Sequence, residues 1–323
     1  MDEAISLYEQ TLVSQRRKLG ADHPDTLATQ NTLAVAYRQS GRVDEAIALL
    51  EQSLAGFQTK LGAEHANTLN IQHNLAVAYL AADRTDRGID MLERTLAVQQ
   101  RQLGPNHPDT LSSQNQLARA YLDADRIDQS IALFQRTLAA RKSKLGATHP
   151  DTLGTMHGLA LAYARSAESQ QADHLFREVL IIRKRVLGPQ HRDVAVTLND
   201  FGRHLLLQHR YAEAEPHLRD CLAVCDRCLP NNWIRFDAQS ALGAALLAQM
   251  KRSEAEPLLV QGYEGLKAHQ SAIPVLSRTR VSEAAERLLA FYSASGNKEQ
   301  ADHWRKELDT LRSPPVATTT TTH

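Results

Sequence analysis

Apolar residues recur along the chain at the spacing of amphipathic helices. Between Pro24 and Gly41 they fall at helical intervals, so that they line one stripe of an α-helix. This stripe consists of Leu27, Gln30, Leu33, Ala34 and Tyr37. A second stripe begins after Asp44 and consists of Ala46, Ile47, Leu50, Leu54 and Phe57. The pattern predicts a pair of helices, which we name helix A and helix B.

Residues at the ends of the two stripes match the preferences of helix termini. Pro24 suits the first turn of helix A, where its missing N–H costs nothing, and Asp25 complements the positive end of the helix dipole. Gly41 ends helix A, and Gly62 supplies a C-terminal glycine cap for helix B. We therefore expect two separate helices joined by a short turn.

The helix pair recurs every 42 residues. Its opening Leu-Gly dipeptide begins at Leu19, Leu61, Leu103, Leu145 and Leu187. A histidine keeps the same step at His23, His65, His107, His149 and His191. Ala34 and Ala46 would let the two helices approach closely, but a single pair cannot bury its stripes and must stack on its neighbours. The sequence thus predicts an all-α solenoid of antiparallel helix pairs with 42-residue repeats.

The repeat register divides the chain into four expected parts. Residues 1–20 align with a helix B whose helix A is absent, which predicts that the chain is a fragment of a longer array or of a larger protein. Residues 21–188 form four regular units, and residues 189–312 form three divergent units that end in a polar cap. Residues 313–323 have nothing to pack with and are expected to be a disordered tail.

Three motifs keep a fixed register in the repeat. They are Leu-Gly-x-x-His-Pro-Asp-Thr-Leu, the Asn-x-Leu-Ala-x-x-Tyr run from Asn31 to Tyr37, and Gly-Arg-x-x-Glu-Ala-Ile from Gly41 to Ile47. With them the chain resembles the kinesin light chain class of tetratricopeptide repeats over about residues 1–230. The resemblance implies a right-handed superhelical solenoid. It also implies that asparagine and basic residues on helices A hold extended peptides.

A second set of motifs lies in residues 211–310. These are Tyr211-Ala-Glu-Ala-Glu-Pro, Ser253-Glu-Ala-Glu-Pro-Leu-Leu, Gly262-Tyr-Glu-Gly-Leu-Lys and Ala301-Asp-His-Trp-Arg-Lys. They are similar to the C-terminal repeats that follow the kinase domain in bacterial serine/threonine protein kinases. This resemblance implies a kinase domain upstream in a parent protein, and no activity in the chain itself.

Composition and charge exclude several classes of partner. The 37 basic residues (Lys and Arg) equal the 37 acidic ones, so there is no long-range field to attract nucleic acid or an anionic membrane. The content of 42% hydrophobic and only 5% aromatic residues is typical of helical repeats. No apolar run is long enough to span a bilayer, and the N-terminus lacks the pattern of a signal peptide. We therefore expect a cytoplasmic protein without a cofactor.

The face of helix A opposite its apolar stripe carries side chains suited to peptide recognition. Side-chain amides both donate and accept hydrogen bonds, so they can pair with a peptide main chain. The predicted binding residues are Asn31, Arg38, Asn70, His73, Asn74, Asn115, Arg119, His157, Arg165, Asn199 and Arg203. Four of these are arginines, against Asp123 and Asp200 on the same face. The face is slightly basic, which favours an acidic or C-terminal peptide as its partner.

Three short patterns suggest other chemistry. Asp200-Phe201-Gly202 spells the metal-binding tripeptide of protein kinases, but a Gly-rich loop, a strand lysine and a His-Arg-Asp loop are missing. His217 and the three cysteines Cys221, Cys225 and Cys228 fall on one helical face, yet ligands along one straight helix span too far to close a tetrahedral shell. The repeated histidines each precede a helix A, which indicates a structural role at the helix entrance. No catalytic residue and no metal site is predicted.

The leading hypothesis is a cytoplasmic scaffold whose concave groove binds a peptide segment of a partner protein. The alternative is the C-terminal recruitment or regulatory fragment of a larger signalling enzyme, for which a bacterial serine/threonine protein kinase is the foremost choice. A third hypothesis is a metal-binding protein that uses the cysteine cluster.

Overall fold

The fold is that of a computed structural model, which describes residues 2–166, 168–273 and 277–312. In these residues the chain forms fifteen α-helices and a short 3-10 helix at Gln270–Ala272, and no strand. The predicted tail, residues 313–323, lies outside the described residues.

The helices alternate between the two positions of the predicted repeat. In chain order they are α1 (Asp2–Leu19), α2 (Pro24–Gln39), α3 (Val43–Leu61), α4 (Ala66–Ala81), α5 (Thr85–Gln102), α6 (Pro108–Asp123), α7 (Ile127–Leu145), α8 (Pro150–Arg165), α9 (Ser169–Leu187), α10 (Arg192–Leu207), α11 (Tyr211–Cys228), α12 (Trp233–Ala248), α13 (Arg252–Ala268), α14 (Thr279–Ala294) and α15 (Lys298–Arg312). The even-numbered helices are helices A, and the odd-numbered ones are helices B.

The chain forms two compact units, Met1–Val179 (unit 1) and Leu180–His323 (unit 2). In unit 1 consecutive helices from α1 to α8 pack against one another, and α2, α4, α6 and α8 also touch in sequence along the unit. In unit 2 the same holds for consecutive helices from α10 to α15 and for α10, α12 and α14. The predicted all-α repeat solenoid of helix pairs is therefore confirmed.

The apolar stripes predicted from the sequence form the core of unit 1. Leu27, Leu33 and Leu50 are almost fully buried, and Ala34 and Ala46 are completely buried where α2 and α3 meet. Burial of one such leucine side chain contributes about 1.5–3 kcal/mol. The two alanines let the helix backbones approach closely, so that the larger side chains of each stripe interdigitate.

The five repeated histidines cap the N-termini of helices A. In each case the histidine Nδ1 accepts a hydrogen bond from the backbone N–H two residues later, which satisfies a donor that the helix leaves unpaired. The N···N distances are 3.3 Å at His23, 3.2 Å at His65, 3.3 Å at His107, 3.2 Å at His149 and 3.1 Å at His191. The structural role predicted for these histidines is confirmed.

The turn from helix A to helix B needs one residue with left-handed backbone conformation. Gly41 supplies it in the first turn, with φ of 88°. Non-glycine residues take the equivalent place in four other turns, with positive φ at Asp83, Asp125, His209 and Met250, and Gly296 takes it between α14 and α15, with φ of 73°. A left-handed conformation costs an L-residue about 1–2 kcal/mol, which glycine avoids. These four turns therefore store strain that a glycine would relieve.

We expect Met250→Gly to stabilise the protein. Met250 has φ of 64°, and 75% of its surface is exposed, so the substitution relieves strain and removes few contacts. The expected gain is about 1 kcal/mol, or a rise of about 2–4 °C in the midpoint of thermal unfolding followed by circular dichroism. Met250→Ala is the matched control, because it shortens the side chain and keeps the strain. Equal midpoints of thermal unfolding for the two variants would contradict a strained backbone at residue 250.

Candidate functional site

Three asparagines join α2 to α4 on the predicted binding face. Asn31 Nδ2 donates to Asn70 Oδ1 at 3.2 Å, and Asn74 Nδ2 donates to Asn31 Oδ1 at 2.9 Å and to Asn70 Oδ1 at 3.3 Å. Asn70 is exposed, and the other two are half-buried. These bonds use only part of the capacity of the three amides, since each amide has two donor hydrogens and two acceptor lone pairs. The cluster is fixed in position and can still bond a partner.

The same contact recurs between the following helices A. His73 Nδ1 lies 2.9 Å from Ser113 Oγ, which joins α4 to α6. Thr155 Oγ1 donates to Asn115 Oδ1 at 3.1 Å, which joins α6 to α8. Asn31, His73 and Asn115 occupy one repeat position, 42 residues apart. Stacking of the repeats therefore places one polar side chain of each helix A against the next helix A.

His73 also lines a small cavity between α4, α5 and α6. The cavity has a volume of about 40 Å³ and includes Asn70, Gln99 and Asp109 in its lining. Burial lowers the pKa of His73 to about 4, although the negative charge of Asp109 acts to raise it. The imidazole is therefore neutral near pH 7 and offers one donor and one acceptor.

The arginines of unit 1 differ in how far they are open to solvent. Arg119 on α6 and Arg165 on α8 are exposed, and Arg165 Nη1 donates to the Leu122 carbonyl oxygen at 2.8 Å. Arg38 on α2 is half-buried, and burial lowers its pKa. The basic character predicted from the sequence thus comes to the surface mainly at Arg119 and Arg165.

His157 has a different environment from the other predicted residues of unit 1. Only 4% of its surface is exposed, and its ring forms a T-shaped contact with the Phe176 ring at a centroid distance of 5.8 Å. The side chain packs inside unit 1, between α8 and α9. A partner on the surface would reach it only after a rearrangement.

The two predicted residues of unit 2 lie in a buried polar network. Asn199 Nδ2 donates to Asp237 Oδ2 at 2.8 Å, and Arg203 Nη1 lies 3.0 Å from Asp237 Oδ1. Arg203 Nη2 also reaches Glu283 Oε2 at 2.6 Å. Burial acts to lower the pKa of Arg203, but Asp237 and Glu283 outweigh it, and the net shift is upward. The charge of Arg203 is thus satisfied within the protein.

Sequence reasoning missed the acidic members of this network. Asp237 and Glu283 occupy the repeat position of Asn70, near the start of a helix A. In both units a residue at this position accepts a hydrogen bond from the preceding helix A. An alignment that allowed for the shorter spacing before α12 and the longer spacing before α14 would have revealed the shared position.

The Asp200-Phe201-Gly202 tripeptide lies in the middle of α10. Phe201 is fully buried, and a Cβ atom added to Gly202 would stand 2.6 Å from Leu218 Cγ of α11. The glycine therefore allows α10 and α11 to pack closely. This packing accounts for the tripeptide without any metal or phosphate chemistry.

The cysteines of α11 do not converge on one point. Cys221 and Cys225 are buried with their Sγ atoms 4.0 Å apart, whereas Cys228 is exposed and donates to the Gln190 carbonyl oxygen at 3.1 Å. The ring of His217 packs on Phe201 at 4.6 Å. The hydrogen bond with Cys225 and burial both raise the pKa of Cys221. Across the described residues, no three His, Cys, Asp or Glu side chains are grouped so that they could hold a metal ion.

A larger open groove lies elsewhere in unit 1. It has a volume of about 400 Å³ and runs between α5 and α7, with Leu117 and Tyr121 of α6 among its lining residues. It contains none of the predicted binding residues.

Within the described part of the chain, no helix combines the length and apolarity that crossing a bilayer requires.

Comparison with known proteins identifies the repeats. The tetratricopeptide repeat family model matches residues 1–59, 27–87, 67–143, 115–184 and 151–227. The crystal structure of a putative kinesin light chain from Podosopora anserina, with nearly identical TPR-like repeats, shares 32% sequence identity. The alignment covers 64% of this chain and 98% of that one, with a TM-score of 0.55. None of the curated proteins compared with the sequence matches it.

Two further structures share the fold at low identity. The crystal structure of BtubC (BKLC) from P. vanneervenii shares 15% sequence identity with this chain. The alignment covers 77% of this chain and 94% of BtubC, with a TM-score of 0.55. The apo form of RapI is 12% identical, covers 88% of this chain and 97% of its own, and has a TM-score of 0.67.

These relationships and the fold support a protein-interaction scaffold, and they give no support to the alternative of a kinase fragment. The matched stretches extend from residue 1 to residue 227, which is more than half of the sequence. The chain therefore belongs to the tetratricopeptide repeat family and, within it, to the kinesin light chain class.

Proposed function

We propose that the face of helices A in unit 1 binds an extended, acidic segment of a partner protein. The observation that carries this proposal is the cluster of Asn31, Asn70 and Asn74, which is held between α2 and α4 with hydrogen-bonding capacity to spare. Amides in this state suit the alternating N–H and C=O groups of a peptide main chain.

The exposed arginines give the face its preference for acidic side chains. Arg119 and Arg165 lie on neighbouring helices A and reach solvent. An exposed ion pair contributes only about 0.2–1 kcal/mol, so these arginines select and attract the partner more than they hold it. The greater part of the affinity comes from hydrogen bonds to the peptide main chain.

A structural relative shows what one such fold binds. A Rap protein that is 11% identical to this chain, with a TM-score of 0.55, was solved in complex with competence and sporulation factor. That ligand belongs to the Rap protein, because a likeness at this identity extends to the fold alone. It supports the proposal only to the extent that a solenoid of this kind can carry a binding face.

Asp123 limits the positive charge of this face. Burial raises the pKa of Asp123 to about 6, and the charges of Arg119 and Arg165 act in the opposite direction. The carboxylate is ionised at neutral pH and stands among the same arginines that an acidic peptide would contact. Protonation below about pH 6 therefore makes the face more basic.

We expect selection from a random dodecapeptide display library on the immobilised full chain to enrich peptides rich in Asp and Glu. An enriched peptide, labelled with a fluorophore, should lose at least about tenfold in affinity when Asn115→Ala is combined with Arg119→Glu. Loss of a main-chain hydrogen bond at Asn115 costs about 0.5–1.5 kcal/mol and loss of an exposed ion pair at Arg119 about 0.2–1 kcal/mol, and together they correspond to this factor. Fluorescence anisotropy measures the dissociation constants.

The matched control for this experiment is Arg94→Glu. Arg94 lies on α5, a helix B, and its side chain is 80% exposed, so the variant makes the same charge reversal away from the proposed face. Its affinity for the peptide should equal that of the wild type. An equal loss in both variants, or a library without acidic enrichment, would count against an acidic-peptide face.

The raised pKa of Asp123 predicts a pH-dependent effect of Asp123→Asn. The pKa in the folded protein, about 6, lies above the unfolded value of about 4, so the native state favours the neutral acid. Stability from the neutral form is present below about pH 4 and is lost as the pH rises through 6. The variant should thus be more stable than the wild type at pH 7–8, and the difference should vanish near pH 4.

Urea unfolding at several pH values tests this prediction. Asp90→Asn on α5 is the control, because Asp90 is exposed and pairs with Arg94 at the surface. A difference between Asp123→Asn and the wild type that stayed constant from pH 4 to pH 8 would rule out the proposed titration of Asp123.

A further inference from the structure

Three arginines of unit 2 surround a single carboxylate. Arg203 Nη2 lies 2.6 Å from Glu283 Oε2, and Arg287 Nη2 lies 3.4 Å from the same oxygen. Arg280 Nη1 lies 3.5 Å from Glu283 Oε1. Arg203 comes from α10, and the other two arginines come from α14. Arginine is the side chain whose planar array of donors best matches a carboxylate.

Helix α12 also holds the three arginines, through a second carboxylate and a hydroxyl group. Asp237 on α12 is fully buried, contacts Arg203 Nη1 at 3.0 Å and lies 3.7 Å from Arg280 Nε. Ser240, also on α12, accepts a hydrogen bond from Arg287 Nη1 at 3.0 Å. The three guanidinium groups are therefore fixed in position by α12 and do not depend on Glu283 alone for their orientation.

Positive charge exceeds negative charge among the groups in direct contact. Three guanidinium groups meet two carboxylates, and Asp200 and Glu286 add more distant negative charges that act on Arg203 and Arg287. Burial and the charge of Arg203 lower the pKa of Arg287 to about 10, although the charges of Asp237, Glu283 and Glu286 act to raise it. The charge of Arg287 is thus less well compensated than that of Arg203, whose pKa shifts upward.

Glu283 is the member of the cluster that is most open to solvent. Its side chain is 31% exposed, compared with 7% for Arg203, 20% for Arg280 and 16% for Arg287. Glu283, which contacts all three guanidinium groups, is therefore the side chain of the cluster that solvent reaches most readily. A glutamate side chain has several rotamers, and a change of rotamer would uncover the guanidinium groups without a movement of the backbone.

We propose that Arg203, Arg280 and Arg287 form a carboxylate-binding site, which Glu283 occupies in the free protein and which a carboxylate of a partner segment takes over on binding. This site rests on the proposed function only in that the partner is a protein segment. All of its residues belong to unit 2, whereas the proposed binding face lies on unit 1. Its ligand is either an Asp or Glu side chain or a C-terminal carboxylate, since the two share their chemistry.

Exchange of one carboxylate for another keeps the charge balance of the cluster. The incoming group makes the same charge-assisted hydrogen bonds that Glu283 gives up, so the exchange costs little. The tethered Glu283 competes at an effective concentration in the millimolar range, which excludes weak carboxylate ligands. A partner that makes additional contacts along the solenoid would overcome this competition.

Chemical rescue tests the site. Glu283→Ala leaves the three arginines facing an empty space, so sodium acetate should raise the midpoint of thermal unfolding of this variant by about 2–4 °C relative to sodium chloride at equal ionic strength. The wild type should show no such difference. Glu256→Ala is the control, because Glu256 is an exposed glutamate of α13 that contacts Tyr292 and no arginine of the cluster. It should not respond to acetate.

Small peptides distinguish the two sources of the carboxylate. N-acetyl-Ala-Ala as the free acid, its C-terminal amide, and N-acetyl-Glu amide are titrated into wild type and Glu283→Ala by isothermal calorimetry. We expect at least one of the two acids to bind the variant about tenfold more tightly than the wild type, because the tethered competitor is gone. The C-terminal amide of N-acetyl-Ala-Ala, which has no carboxylate, should not bind. Adding Arg287→Gln to Glu283→Ala should abolish binding of the acid.

The possible outcomes separate the two proposals. A folded Glu283→Ala that responds equally to acetate and chloride overturns the carboxylate site, as does a larger response to inorganic phosphate than to acetate. If Glu283→Ala does not fold, Glu283→Gln takes its place, and the titration of the two acids decides in the same way. Rescue by acetate together with an unenriched peptide library would retain this site and reject the face on unit 1.

Discussion

A helix pair of this sequence cannot bury its own apolar stripes, and the stacking of the repeats follows from this. Each pair covers its leucines only by packing on the next pair, and the fully buried Ala34 and Ala46 set how closely the helices approach. Stability is therefore distributed over nearest-neighbour contacts. The histidine caps and the left-handed turn residues contribute by fixing where each helix begins and ends.

Stacking also brings equivalent polar residues of successive helices A together. Asn31 bonds to Asn70 in unit 1, and Asn199 at the same repeat position bonds to Asp237 in unit 2. The two contacts share their place in the repeat and differ in the chemistry of the residues around them. Amides leave hydrogen-bonding capacity open on the surface, whereas Arg203 and Asp237 form a buried ion pair that requires complete satisfaction within the protein.

Helical packing accounts for the short motifs that suggested chemistry. Gly202 makes room for Leu218, and Cys221 and Cys225 fill the interface of α11 as small buried side chains. A motif of three or four residues carries chemistry only when other elements bring further groups to the same point. In the described part of this chain, such convergence occurs instead at Glu283, where arginines from two helices meet one carboxylate.

Local periodicity and a register that recurs every 42 residues were enough to predict the helices, the role of the histidines at the helix entrances, the repeat step and the buried stripes. The sequence also placed most of the candidate residues on one side of helices A. Which of these residues remain open to a partner depends on how the helices pack. Arg203 is enclosed by Asp237 and Glu283, which lie 34 and 80 residues further along the chain, and no local pattern connects residues so far apart. The accessibility of a polar side chain depends on the groups that neighbouring helices place opposite it.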